Sequence, residues 1–208
     1  MMIVIYIVKD RSINPERRLK VSREQAVENR ARVVEIAAQL FRERGFDGIG
    51  IADLMKSAGL THGGFYAQFA GKDGLMAEAC AKASADTVAG WVKAIERSGD
   101  PLTALTKTYL STAHRDHPGQ GCLMAALGPE VARQAPAVRS AVTAGFRNVI
   151  ATLAGLLPGK TKAVKQERAL AYFASMVGGV VLARAVDDPA LSKEILHAVA
   201  ASLPRSTA

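Results

Sequence analysis

The chain is poor in cysteine: among 208 residues only Cys80 and Cys122 occur. Two thiols cannot build a disulfide framework, which fits a reducing compartment, and they cannot fill a four-cysteine zinc site. Aromatic residues are scarce as well, at 5%, while alanine is abundant. Sheets draw on branched and aromatic side chains and helices on alanine, so this balance points to close-packed helices. No apolar run reaches bilayer length. Met1–Val8 is apolar but too short to cross, and it lacks a preceding basic region and a small-residue cleavage site. There is no internal repeat and no low-complexity tract. No G-x-S-x-G, Walker loop, dinucleotide fingerprint or H-E-x-x-H is present, so an enzyme is not expected, nor a cofactor or a membrane partner.

What is there suffices for a core. Hydrophobic residues make up 49% and charged residues 22%, the balance of a folded globular protein. Lysine and arginine number 27 against 19 acidic residues, a net charge of +8. That excess favours a polyanion partner without saying anything of the fold. It is not concentrated: residues 1–76 hold 12 basic and 9 acidic side chains, a net of +3.

The pattern along the chain is helical throughout. Residues 1–21 read as a mixed-charge arm with Arg17, Arg18 and Lys20. Ser22-Arg23-Glu24-Gln25 reads as a capping box, followed by Val33, Ala37, Leu40 and Phe41 at helical spacing and a stop at Gly45. A short helix runs from Ile51 through Leu54, Met55 and Ala58 to Gly59, and Thr61 caps a third with Phe65 and Phe69 four apart. Gly71-Lys72-Asp73 opens a long helix with an inner face of Leu75, Ala79, Ala83, Val88, Trp91 and Ile95. Asp100 and Pro101 start the next, with Leu102, Leu105 and Tyr109 inward. His114–Gly121 reads as a loop, Cys122–Leu127 as a short apolar segment, and Gly128-Pro129 as the restart of a helical turn. Pro136 opens a long helix closed by Pro158-Gly159. Two more follow, about 163–186 and 189–203, the last capped by Asp188. The reading is all-α, about nine helices.

Residues 51–69 carry the functional signal. Two short helices meet at Gly59, which is helix-turn-helix geometry. Leu60, Phe65 and Phe69 anchor the second helix. Its other face, Thr61, His62, Gly63, Gly64, Tyr66 and Gln68, is small and polar, as suits entry into a major groove. Two glycines inside a helix cost roughly 1 kcal/mol each relative to alanine. Either DNA approaches the backbone closely there, or Gly-Gly punctuates a turn; the Phe65 and Phe69 pair favours the helix.

This stretch resembles the N-terminal DNA-binding domain of the TetR/AcrR transcriptional regulators. The marks are A-x-x-L-F-x-x-x-G-F at Ala37–Phe46, the Ala58-Gly59-Leu60 turn, Phe65-Tyr66-x-x-Phe69 and Lys72-Asp73. Gly121–Arg133 also looks like a segment found in many members. The resemblance implies a DNA-binding head over residues 22–71 and a helical ligand-binding and dimerisation body over residues 72–208. It implies a cytoplasmic homodimer built through the last two helices. It bound to a near-palindromic double-stranded operator would act as a repressor, released by a small-molecule effector. By position, Tyr66 and Lys72 would contact phosphates, and Thr61, His62, Gly63 and Gly64 bases or backbone. Ile49 and Gly50 stand where many members carry hydroxyl residues, so the cap of the second helix lacks an oxygen.

In the body, Trp91, Tyr109, Met124 and Phe146 are the types that line a hydrophobic or aromatic ligand site, with His114 as a polar contact. Each is equally the type of residue that fills an ordinary core. His114, His117 and Cys122 are metal-ligand types at a spacing that fits no closed zinc pattern, so a histidine-rich loop is the plainer reading and no metal is expected. Cys122 reads as a small buried hydrophobe. A head that binds something other than DNA stays open as the alternative.

Overall fold

The computed structural model describes residues 23–204. The N-terminal arm, residues 1–21, and the Ser22 cap lie outside them. The described residues form nine α-helices and no strand: α1 (Arg23–Arg44), α2 (Ile51–Ser57), α3 (Lys72–Glu96), α4 (Pro101–Tyr109), α5 (Thr112–Asp116), α6 (Leu123–Val131), α7 (Pro136–Leu156), α8 (Lys162–Ala185) and α9 (Pro189–Ser202).

The terminators act as their chemistry requires. Gly45 and Gly59 take φ of 80° and 71°, the left-handed region that ends a helix at little cost to glycine. Asp100 accepts from Thr103 N–H at 3.2 Å with Pro101 at the first helical position. Asp188 accepts from Ala190 and Leu191 N–H at 2.7 and 3.1 Å. Gly50 precedes α2 with no side-chain cap, as Ile49-Gly50 led one to expect.

Three segments differ from the sequence reading. His114–Gly121 is not a plain loop. Ser111 caps α5 through His114 N–H, and Pro118–Gln120 winds a 3₁₀ turn. Cys122–Leu127 and Gly128-Pro129 are one continuous helix, α6, with Pro129 inside it. The third helix is a 3₁₀ turn at His62–Gly64 followed by turns. The glycine pair withdraws the propensity that would have carried an α-helix there.

The core has two lobes. One gathers Val33, Phe41, Phe46, Leu54, Met55, Phe65 and Leu75, and runs on into Leu123, Leu127, Val138 and Val142 of α6 and α7. The other holds Trp91, Leu105, Tyr109, Ile150, Leu153, Phe173 and Met176. Met124 packs against both. Helix α3 runs through both lobes and crosses α7 where Gly145 faces Ser84, a contact too close for any Cβ.

Candidate nucleic-acid interface and the cavity behind it

The turn at Gly59 is closed by Leu60 N–H to the Met55 carbonyl at 2.9 Å. Phe65 and Phe69 lie inward, stacked at 5.4 Å between centroids, and hold the segment against the core. This leaves Thr61, His62, Gly63 and Tyr66 outward. Tyr66 is 64% exposed, an unusual setting for a large ring, and meets both His62 and Phe65 edge-on. Thr61 precedes the turn without making a cap bond.

Nothing inside the chain demands glycine at 63 or 64. A Cβ at Gly63 would meet no atom within 4 Å, and one at Gly64 would make only ordinary contacts. Neither has positive φ. At neither position does the chain's own packing or backbone require glycine.

Lys72 opens α3, where the helix dipole disfavours a cation. Its Nζ lies 3.6 Å from Asp47 Oδ1, a carboxylate almost wholly in solvent. Such an exposed pair contributes little and leaves the amine available to a phosphate. Gln68 turns inward: its Nε2 donates to the Gly64 carbonyl at 3.2 Å. Of the residues singled out for this face, Thr61, His62, Gly63 and Tyr66 are exposed, while Gly64, Gln68 and Lys72 are half-buried.

Polar links that sequence reasoning missed fix this face to the rest of the chain. Arg30 pairs with both oxygens of Glu78 at 2.5 and 2.6 Å and lies over the Phe69 ring at 4.8 Å. Glu130 of α6 accepts from Phe46 N–H at 2.9 Å, just past the end of α1. Arg42 of α1 donates from Nη2 to the Gly119 carbonyl at 2.5 Å. Arg42 had a signal in the sequence, since it stands four residues after the buried Ala38 on the inner arc of α1.

Behind the head, Arg42, Asp86, Trp91, Leu105, Tyr109 and His114 line a cavity of about 360 Å³ that opens to solvent. Three of the five residues named as ligand contacts meet here: Trp91, Tyr109 and His114. Phe146 and Met124 do not. They border a void of about 10 Å³, hardly one water, where Phe146 packs edge-on against Phe173, and Phe146 also lines a separate open cleft of about 730 Å³ between α7 and α8.

His114 is fully engaged. Its Nδ1 faces the Tyr109 carbonyl at 2.7 Å, and its Nε2 accepts from Cys122 N–H at 2.9 Å. These partners fix the neutral tautomer with the proton on Nδ1, and burial lowers its pKa. Its role is to join α4 to the start of α6. Both cysteines are buried, and burial pushes the Cys80 thiol up to about 12. Arg184 of α8 donates to the carbonyls of His114, Arg115 and Ala125 at 2.7, 2.9 and 3.0 Å, clamping the same segment from the other side.

Helix α8 is the one described helix long and apolar enough to cross a membrane. Leu170, Val181 and Leu182 on α8 and Leu191 on α9 are exposed. Gly179 and Ala183 pack within the chain, Gly179 against Leu110 and Val199, whereas Gly178 faces open space.

Residues 33–79 match a family model described as bacterial regulatory proteins, tetR family. The resemblance read from the sequence over the same stretch is thereby borne out. Solved structures align over most of the chain. The reduced form of E. coli NemR matches with 23% identity and a TM-score of 0.72, covering 87% of this chain and 98% of that one. A TetR-family transcriptional regulator from Agrobacterium tumefaciens matches at 19% and 0.69, covering 86% and 98%. A TetR transcriptional regulator from Chloroflexus aurantiacus matches at 23% and 0.70, covering 88% and 100%. At these identities the likeness is one of fold. No curated protein matches the chain in sequence.

Proposed function

We propose that this chain, which carries over residues 33–79 a domain of the tetR family of bacterial regulatory proteins, is a cytoplasmic, homodimeric repressor that binds a near-palindromic double-stranded DNA operator and leaves it when a small molecule enters the body. The observation that carries the DNA reading is the outward surface at 61–72. A ring left mostly in solvent, a cation at the wrong end of a helix, and two glycines that the fold does not need all fall in this segment. Phosphate contacts position a protein on DNA and base-edge contacts specify the site. Tyr66 and Lys72 supply the first kind, Thr61 and His62 the second, and Gly63 and Gly64 let the backbone come close.

A single head spans few base pairs, so a two-fold pair is the usual solution. The exposed apolar side chains of α8 and α9 supply its contact. The same stripe is a subunit face rather than a lipid face, because Lys165, Glu167 and Arg168 stand on the same helix and lipid contact wants it apolar all round. The cavity beside Trp91 and Tyr109 is within the size range of small-molecule sites. It lies between α1 of the head and α3 to α5 of the body, so a molecule there acts on the junction. Only a difference in affinity for two arrangements of that junction can move the equilibrium.

The test is a fluorescence-anisotropy titration of the dimer on the DNA just upstream of its own gene, with a scrambled duplex of equal length beside it. Preference for the upstream duplex is expected. Equal affinity for both duplexes, or none for either, overturns the reading.

A further inference from the structure

The most unusual group in the molecule is Arg42. It is 8% exposed and lines the cavity behind the head. Only its Nη2 has a hydrogen-bond partner, the Gly119 carbonyl, and its Nε is buried without one. No carboxylate among the described residues lies within ion-pair distance of it. Asp86, the acidic side chain on the same cavity wall, has both oxygens engaged by Lys82 Nζ at 2.7 Å. A buried guanidinium normally has a carboxylate or a full set of acceptors, because burying an unpaired charge is costly.

A second group on the wall is poorly satisfied. The Tyr109 hydroxyl is buried, in a residue 4% exposed, with no nitrogen or oxygen partner and only the weakly bonding Cys122 thiol beside it. Native structures leave few such atoms without a reason. Two polar groups from different helices, neither fully satisfied, thus border one cavity whose other walls include Trp91, Leu105, Ala94 and Cys122.

We propose that the effector of this protein is a small aromatic or aliphatic acid, whose carboxylate pairs with Arg42 and is reached by the Tyr109 hydroxyl, while its apolar part lies against Trp91 and Leu105. The carboxylate is the acceptor that a planar guanidinium fits best. The volume, near the lower end for ligand sites, suits a molecule of one ring rather than several. Regulation follows from where Arg42 sits. Its bond to Gly119 ties the last turn of α1 to the segment that follows α5. An acid that draws the guanidinium into the cavity competes with that carbonyl and loosens the head from the body.

The proposal deepens the ligand-controlled reading and rests on it for the effect at DNA, but not for binding itself. Trp91 is the only tryptophan in the chain and lies in the cavity wall, so its emission reports occupancy directly. The full-length protein is titrated with benzoate, phenylacetate and 3-phenylpropionate, and with the carboxamide of each. At least one acid is expected to change Trp91 emission at millimolar concentration or below, and to bind roughly tenfold or more tighter than its amide, because the amide forfeits a charged hydrogen bond. The same acid lowers operator affinity and its amide does not. Arg42→Gln brings the acid-to-amide ratio close to one and Arg42→Lys keeps part of it, with circular dichroism melts confirming that both fold. The wild-type comparison needs no variant and decides by itself if they do not. A Trp91 signal unmoved by every acid, equal binding of acid and amide, or a ratio that survives Arg42→Gln each overturns the proposal. If the protein binds no operator at all, the regulator reading fails while the Trp91 titration still decides this one.

Discussion

Arg184 Nη1 donates to the Ala125 carbonyl at 3.0 Å, the acceptor that Pro129, four residues further along α6, has no N–H to reach. Proline inside a helix removes one rung of the ladder and is tolerated where another donor fills the gap. Here the donor comes from α8. The other arms of the same guanidinium take the His114 and Arg115 carbonyls near the end of α5, where helical carbonyls lack partners.

Arg184→Met therefore leaves three carbonyls short of a donor in a half-buried place. A loss of about 2–4 kcal/mol is expected from urea unfolding. Adding Pro129→Ala restores an N–H opposite Ala125 and should return about 1 kcal/mol. If Pro129→Ala rescues nothing in the Arg184→Met background, the guanidinium is not replacing the missing rung.

His114 makes stability depend on pH with a definite sign. Burial holds its folded pKa below the ordinary value of 6.5, so the native state keeps it neutral while the unfolded chain takes up the proton. Its contribution is complete above pH 6.5, is lost progressively as the pH falls below that value, and stops falling once the folded imidazole itself protonates. Thermal melts between pH 7.5 and 5, about the range over which histidine titrates, should show the midpoint dropping, and His114→Gln should flatten the drop. A slope unchanged by His114→Gln would assign the dependence to another group.

Gly63→Ala and Gly64→Ala separate folding from function. Each adds a methyl group where the chain has room, so stability should hold or rise by about 0.4–1 kcal/mol through the unfolded state. Operator affinity should fall for at least one of them. Variants that melt higher and still bind DNA as tightly as the parent would remove close backbone approach as the reason for these glycines.

Tyr66→Ala and Lys72→Ala test the phosphate contacts. Both should weaken binding to specific and scrambled duplexes alike, and each should reduce the slope of log affinity against log salt by about one. His62→Ala should instead change which bases are preferred. An unaltered salt slope in Lys72→Ala would take that lysine out of the interface.

Leu182→Glu places a charge at the most exposed leucine of α8, 56% accessible in the single chain. Light scattering at micromolar concentration should report one chain where the parent reports two, with the helical circular dichroism signal retained. A parent protein that is itself monomeric and still binds its operator would remove the dimer from the proposal.

The sequence by itself determined the parts that depend on local chemistry and periodicity. Apolar spacing placed α1, α3, α7, α8 and α9, and the caps at Asp100 and Asp188 and the stops at Gly45 and Gly59 formed where glycine, proline and side-chain oxygens required them. The outward residues at 61–66 were legible because Phe65 and Phe69 fix which side faces in. Tertiary structure decided what involves partners distant along the chain. Residues 122–131 read as a broken segment because Pro129 stops a helix locally, and they form α6 because Arg184, 59 residues beyond Ala125, supplies the missing donor. His114 read as a polar ligand contact and became a spent linker, since both its nitrogens found backbone partners across a turn. The sequence reading did not single out Arg42. Only the packing of α1 against the segment that holds Gly119 buries its guanidinium with one acceptor and an empty space beside it.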